Sequence, residues 1–219
     1  MRTIEVQLFQ LDELSDKAKG RARQWYRDCS AGDNTFAEPV IAEAIEIGKR
    51  LGVIIEMRSH QHGAGKTRAT PCIWWSGFWS QGDGASFEGA YAAADQSALV
   101  AVKDYAPKDE KLHSIAQRLD ALQGKYDHRL TASISRNEHR YCHAYTMQID
   151  ATSTNAADEE TSVPVDDERE LLNALRDFAN WIYRELEDAY NHDNSDEHVD
   201  ETIRANEYEF YADGRRADA

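Results

Sequence analysis

Asp83, Glu88 and His143 are the side chains in this 219-residue chain best suited by type to acid–base work. Asp83 and Glu88 form a candidate carboxylate pair, and His143 joins them as an acid or base if the hairpins carrying them adjoin in one sheet. The competing reading is structural: a turn-forming Asp83 and a half-buried His143 satisfied by hydrogen bonds. Ser76, Ser80 and Ser86 lack the strand-to-helix elbow that exposes a serine nucleophile. His60 and His62 suit a metal only if the backbone points both the same way, and their loop offers no acidic or thiol partner. Gly65-Lys66-Thr67 resembles the end of a phosphate-binding loop, but the first glycine of that motif falls on His60. Pro71 and an aromatic strand follow where the motif needs a helix N-terminus, so this reading is rejected. Cys29, Cys72 and Cys142 are an odd number at wide spacing, which gives neither a disulfide framework nor a zinc pattern. No catalytic residue, cofactor or metal set is assigned, and an enzyme is not the favoured reading.

The elements that must position these groups centre on residues 73–91, IWWSGFWSQGDGASFEGAY. This stretch holds three of the five tryptophans and four of the twelve glycines. Residues 72–79 and 85–91 read as two strands of a hairpin around Gly82–Gly84, with Trp74, Trp75, Phe78 and Trp79 on both faces of the first. Gly82 and Gly84 can take positive φ in the connecting loop. If the loop is a ligand site, Trp75 or Trp79 supplies a stacking surface, Gln81, Asp83 and Ser86 supply polar contacts, and His143 an acid or base. That arrangement would suit a small molecule or nucleotide, bound or hydrolysed.

Around this hairpin the periodicity predicts a strand at 3–9 and a helix capped by Ser15 with Ala18, Ala22 and Trp25 on its apolar stripe. A second helix over 36–51 tolerates Pro39 in its first turn. A strand at 53–57, a loop at 59–70, a helix within 92–102 and a helix over 108–123 follow. Strands are expected at 128–135 and 141–149, then a mobile acidic loop at 151–167. A long helix over 166–190, a short one near 198–204 and a strand-like 207–211 complete the chain. The expected fold is one α+β domain spanning 1–219: an antiparallel sheet of about five to seven strands with three or four helices packed mainly on one face.

Charge is uneven along the chain. Residues 1–150 hold 20 acidic and 19 basic side chains, whereas 151–219 hold 20 and 6, so the last third carries −14 of the net −15. Such acidity disfavours direct contact with a phosphate backbone, and it suits a solvated face or a basic partner. The one concentrated basic patch is Lys17, Lys19, Arg21, Arg23 and Arg27 on the first helix. No run of about eighteen apolar residues is present, so no membrane span and a cytoplasmic location are expected.

The stretches LDELSDKAKGRARQWYRD, SGFWSQGDGASFEG and ANEYEFYADGR resemble a family of uncharacterised accessory proteins of tailed phages and prophages, some labelled as antitoxins. The resemblance implies a phage accessory role in the host cytoplasm and supplies no catalytic residues. With the charge split it leads to the expectation of an acidic interaction protein that binds and inhibits a host defence or toxin component. Imitation of nucleic acid by surface charge is one route to such inhibition. The expected partner is a host protein with a basic surface, met by Asp158, Glu159, Glu160, Asp166, Asp167 and Glu168. The ligand site of Trp75, Trp79, Gln81, Asp83, Ser86 and His143 is the alternative.

Overall fold

A computed structural model describes residues 5–62, 66–137, 141–157 and 159–217. The chain divides into two compact units, one of residues 1–38 and 188–219, the other of residues 39–187. In chain order the helices are α1 (Asp16–Ser30), α2 (Ala37–Leu51), α3 (Ala98–Tyr105), α4 (Glu110–Lys125), α5 (Val165–Asp193) and α6 (Asp196–Ala205). The strands are β1 (Val53–Ile55), β2 (Met57–His62), β3 (Lys66–Pro71), β4 (Ile73–Ser76), β5 (Gly84–Phe87), β6 (Gly89–Tyr91), β7 (Leu130–Arg136), β8 (Met147–Thr154) and β9 (Glu160–Ser162). The class is α+β, as expected: among the described residues there are six α-helices, a five-stranded antiparallel sheet in the order β1-β6-β7-β8-β9, and the hairpins β2–β3 and β4–β5.

Side-chain alternation gives the large sheet one wet face and one dry face. Ile54, Ala90, Ser133 and Asp150 stand in register across four strands and all are exposed. The neighbouring row, Val53, Tyr91, Ala132 and Ala151, is buried. A sheet wetted on one side must be covered on the other. Within this unit Phe178 of α5 meets Phe87 of β5 edge to face at 5.6 Å. Gln123 of α4 trades hydrogen bonds with the backbone of Leu130 at the start of β7. The helices are tied to one another through their ends. Asp120 of α4 accepts from Ser97 Oγ and from the amides of Ala98 and Leu99 at the N-terminus of α3. Asp109 caps α4 through the Leu112 amide and accepts from Trp181 Nε1 of α5 at 2.7 Å.

Four local expectations need correction. Residues 5–8 form no strand; Phe9 alone bridges to Phe210, because the alternation there has no neighbouring ladder to join. Residues 57–62 and 66–71 pair as two strands where a loop was expected, with Arg58 opposite Thr70 and His60 opposite Arg68. Arg58, His60 and Arg68 are all exposed there, which removes the apolar period that marks a half-buried strand. The strand expected at 141–149 begins only at Met147, since His143 Nδ1 accepts from the Tyr145 amide and Thr146 Oγ1 donates to the His143 carbonyl. Those local bonds draw the backbone into a 3₁₀ turn at Ala144–Thr146. The stretch expected as an acidic loop carries the end of β8, with Ala151 and Ser153 turned inward, and the edge strand β9.

In the smaller unit Leu11, Leu14, Ala18, Ala22, Val199, Ile203 and Phe210 form the core, edged by Trp25 and Tyr208 in a T-shaped pair at 5.2 Å. The basic face of α1 is answered by acids from the end of the chain. Arg23 binds Asp200 at 2.6 Å and Asp196 at 2.8 Å, Arg27 binds Asp196 at 2.6 Å, and Arg21 binds Asp213 at 3.2 Å. By unit the net charge is −8 for residues 1–38 with 188–219 and −7 for 39–187, so the acidity that looks C-terminal in sequence is shared in space.

The hydrogen bond from Arg27, with the charge of Arg23, holds Asp196 below its ordinary carboxylate pKa, and Arg204 does the same for Asp12. A carboxyl depressed on folding contributes stability above its unfolded pKa, and that contribution is lost as pH falls through the folded one. Melting temperature should therefore fall between about pH 6 and about pH 3. Asp196→Asn should lower it at the higher pH and shrink the acid-induced drop, as followed by circular dichroism; an unchanged drop counts against these pairs.

Candidate functional site

The site is assembled at a place where three chain segments exchange strand partners. Residues 53–62 pair first with β6 and then with β3, 66–76 first with β2 and then with β5, and 84–91 first with β4 and then with β1. The switch residues are Glu56, Cys72 and Glu88. Their backbones close a ring: Glu56 N donates to Glu88 O at 2.9 Å, Glu88 N to Cys72 O at 3.0 Å, and Cys72 N to Glu56 O at 2.7 Å. Every donor and one acceptor function of each switch residue is thus satisfied where the ladders break.

The side chains of the same three residues each bring one potential ligand atom within 4.8 Å of the others. Sequence spacing could not reveal this trio, because three different strands supply it. Glu88 is buried, however, and its carboxylate is held by Arg58 and faces Arg136 at 3.7 Å. Arg136 lies 4.1 Å over the Trp74 ring and Arg58 lies 5.2 Å from it. Burial pushes the Cys72 thiol up. Two guanidinium groups occupy the electrostatic role a cation would take, so the trio reads as a charge-balanced junction rather than a metal centre.

From the junction the β4–β5 hairpin projects the turn 77–83. Asp83 closes that turn: Oδ2 accepts from the amides of Trp79 at 3.0 Å and Ser80 at 2.6 Å, and Oδ1 accepts from Ser76 Oγ at 3.4 Å. Gly84 lets another segment approach, since a Cβ there would stand 2.6 Å from His143 Cβ and 3.2 Å from the Cys142 carbonyl. His143 thus reaches Asp83 by packing of the irregular segment 141–146 against β5, not by the two hairpins sharing a sheet. Between them lies an open cleft of about 540 Å³, lined by Asp83, His143, Tyr145, Asn180, Tyr183 and Arg184, with Glu187 at its border. His143 Nδ1 accepts from Tyr145 N at 3.2 Å, which leaves Nε2 to carry the proton of the neutral ring. Tyr183 donates to the Gly77 carbonyl at 3.0 Å; burial, then the charges of Glu187 and Asp83, push its hydroxyl pKa up. Trp79, Tyr141 and Tyr145 are 74%, 50% and 75% exposed.

The alternative ligand set is therefore split. Asp83 and His143 line the cleft. Trp75 stacks on Phe78 at 5.6 Å, Gln81 is exposed in the turn, and Ser86 is fully buried with no hydrogen-bond partner for its hydroxyl. Of the partner-binding acids, Asp158 lies outside the described residues. Glu159 and Glu160 are exposed beside or on the edge strand β9, where charge discourages further strand pairing. Asp166, Asp167 and Glu168 fill the first turn of α5, where they complement the helix dipole. Asp167 also accepts from Lys125 and Tyr126, each at 2.7 Å, and Asp166 from Arg169 at 2.9 Å. Sequence reasoning missed Asn180, Tyr183, Arg184 and Glu187. Their signal was the polar stripe of α5, opposite the apolar stripe that defined the helix.

Because Asp83 works through its oxygens as an acceptor, Asp83→Ala should destabilise the protein by about 1–2 kcal/mol in denaturant unfolding. Asp83→Asn, which keeps one oxygen, should cost less than half as much. Equal losses for the two would show that the charge, and not turn closure, is what this position supplies.

Among known proteins, a family model matches residues 36–196. The string SGFWSQGDGASFEG lies inside that span, while residues 11–28 and 205–215 lie outside it. No curated protein and no solved structure matches the chain. The family match covers nearly three-quarters of the sequence and takes in the junction, the cleft and all of α5, and by it the chain belongs to the family described as "Domain of unknown function (DUF8835)".

Proposed function

We propose that this protein works by binding a macromolecular partner, and that the contact surface is the aromatic cleft rather than the acidic residues 158–168. The observation that carries this reading is the exposure of Tyr145 in a cleft that also presents Arg184, with the exposed Tyr141 packed beside Gly82 of its lining and the exposed Trp79 on the adjoining turn. Tryptophan, tyrosine and arginine dominate binding hot spots, and large aromatics left in water around one depression mark an interaction site. Of the acids first expected to dock, Glu160 lies on the edge strand β9, and Asp166, Asp167 and Glu168 lie in the first turn of α5. A phage accessory role, with capture and inhibition of a host defence or toxin component, is the setting that the sequence resemblance suggests for such binding. A second reading, a small aromatic ligand or nucleotide in the same cleft, is favoured by its volume of about 540 Å³, which falls in the range of small-molecule sites.

Affinity capture from host lysate with three forms of the full chain tests the first reading. Tyr145→Ala combined with Trp79→Ala should reduce recovery of the partner at least about tenfold with an unchanged melting temperature. Neutralising Glu159, Glu160, Asp166 and Glu168 together should leave recovery within about twofold. The reverse pattern returns the contact to the acidic residues. A tryptophan fluorescence response to nucleotides, with no protein captured, favours the ligand reading.

A further inference from the structure

The groups that line the cleft specify more than its location. Among the described residues Arg184 is the one arginine that makes no hydrogen bond, ion pair or ring contact. It stands with Asn180, one turn earlier on α5, as the common wall of two depressions. The smaller, about 260 Å³, lies between α4 and α5 and adds Lys111, Ser114, Arg118 and Asp177. Arg118 there binds both Asp177 and Glu170, so Lys111 is the cation left to stand with Arg184. The larger depression, on the other side of Arg184, borders Glu187 and Asp83 and is floored by aromatic rings, Tyr145 being the most exposed. The oxygens of Asp83 are already engaged in the turn, and Arg176 lies over one face of the Tyr145 ring at 5.2 Å, so a partner's cation has only the other face. The charges left open along this side of α5 thus differ at its two ends: Arg184 with Lys111 between α4 and α5, and Glu187 at the aromatic end.

Resting on the reading of the cleft as a partner-binding surface, we propose that this two-part groove takes a polypeptide segment of the partner carrying an acidic side chain and, a few residues away, a basic one. The carboxylate meets Arg184 beside Lys111, where a guanidinium offers a planar pair of donors. The basic side chain lies over Tyr145 beside Glu187, where a ring face and a carboxylate both favour a cation. A polypeptide fits better than a compact ligand, because two depressions joined along a helix match an extended chain with side chains at intervals. A segment of one sign would gain at one end of the groove and lose at the other.

The test is selection of a random peptide display library on the immobilised full-length protein. The proposal expects enriched peptides in which an acidic and a basic residue recur together at a fixed separation. With Arg184→Gln the acidic preference should fall at least about tenfold while the basic one persists; with Glu187→Gln the basic preference should fall and the acidic one persist. Both positions border solvent, and an unchanged melting temperature for each variant confirms that folding is not the cause. Enriched peptides with aromatic residues but no paired charges overturn this proposal and leave the binding surface standing. Enrichment of purely basic peptides that survives both substitutions overturns it in favour of an acidic docking face elsewhere. If no peptide is enriched, or only AMP binds when offered to the same protein, both the segment and the partner-binding reading fail.

Discussion

The ring of backbone hydrogen bonds joining Glu56, Cys72 and Glu88 is the constraint on which the larger unit depends. A strand that leaves one partner for another normally strands an amide and a carbonyl at the crossing, and buried unpaired groups of that kind are costly. Three strands that exchange partners at one point solve the problem jointly, each amide finding the next carbonyl. The solution has a consequence for side chains. Glu88 ends up buried, and a buried carboxylate is tolerated only with its charge matched. Arg58 from β2 and Arg136 from β7 supply that match, and both lie against Trp74. The two arginines, the tryptophan and the trio form one coupled unit in which no member has an independent role.

The cleft is a product of this junction. Because 84–91 abandons β4 after Phe87, the β4–β5 hairpin stands apart from the main sheet as a projecting finger. The finger is covered on one side by segment 141–146, which Gly84 admits to close range, and reaches α5 through the Tyr183 hydroxyl at Gly77. Phe78 joins the parts: its ring contacts Trp75, Trp79 and Tyr183 at 5.6, 6.1 and 5.6 Å. The aromatics of the central stretch therefore serve two ends. Phe78 and Trp75 knit the finger to itself and to the helix, while Trp79 and the tyrosines of the facing segment remain in water.

How much of this was legible in the sequence follows from the range of the interactions. The helices were readable because each carries its apolar stripe within its own residues, as Leu171, Leu175, Phe178, Ile182 and Leu186 do in α5. The pairing of β4 with β5 was readable for the same reason, glycines and alternation being local. The β2–β3 hairpin was hidden because its side chains are polar on both faces. The partner exchange at Glu88 was hidden because nothing within 84–91 says that its ladder ends after Phe87. Asp83 and His143 were marked out by residue type, yet their proximity depends on the missing Cβ of Gly84 and on local bonds that keep 141–146 out of β8. The placement of the charge was legible only along the chain. Folding paired the C-terminal acids with arginines of α1 and shared the remainder between the two units.

Amide hydrogen exchange by NMR tests the central claim most directly, since the amides of Glu56, Cys72 and Glu88 are the three donors of the ring. If the junction holds the larger unit together, these amides exchange only on global unfolding, with protection matching that of Ile134 at the centre of β7. Exchange of all three as fast as the amides of the edge strand β9, while β7 stays protected, would contradict the account and show the junction to be a seam that opens on its own.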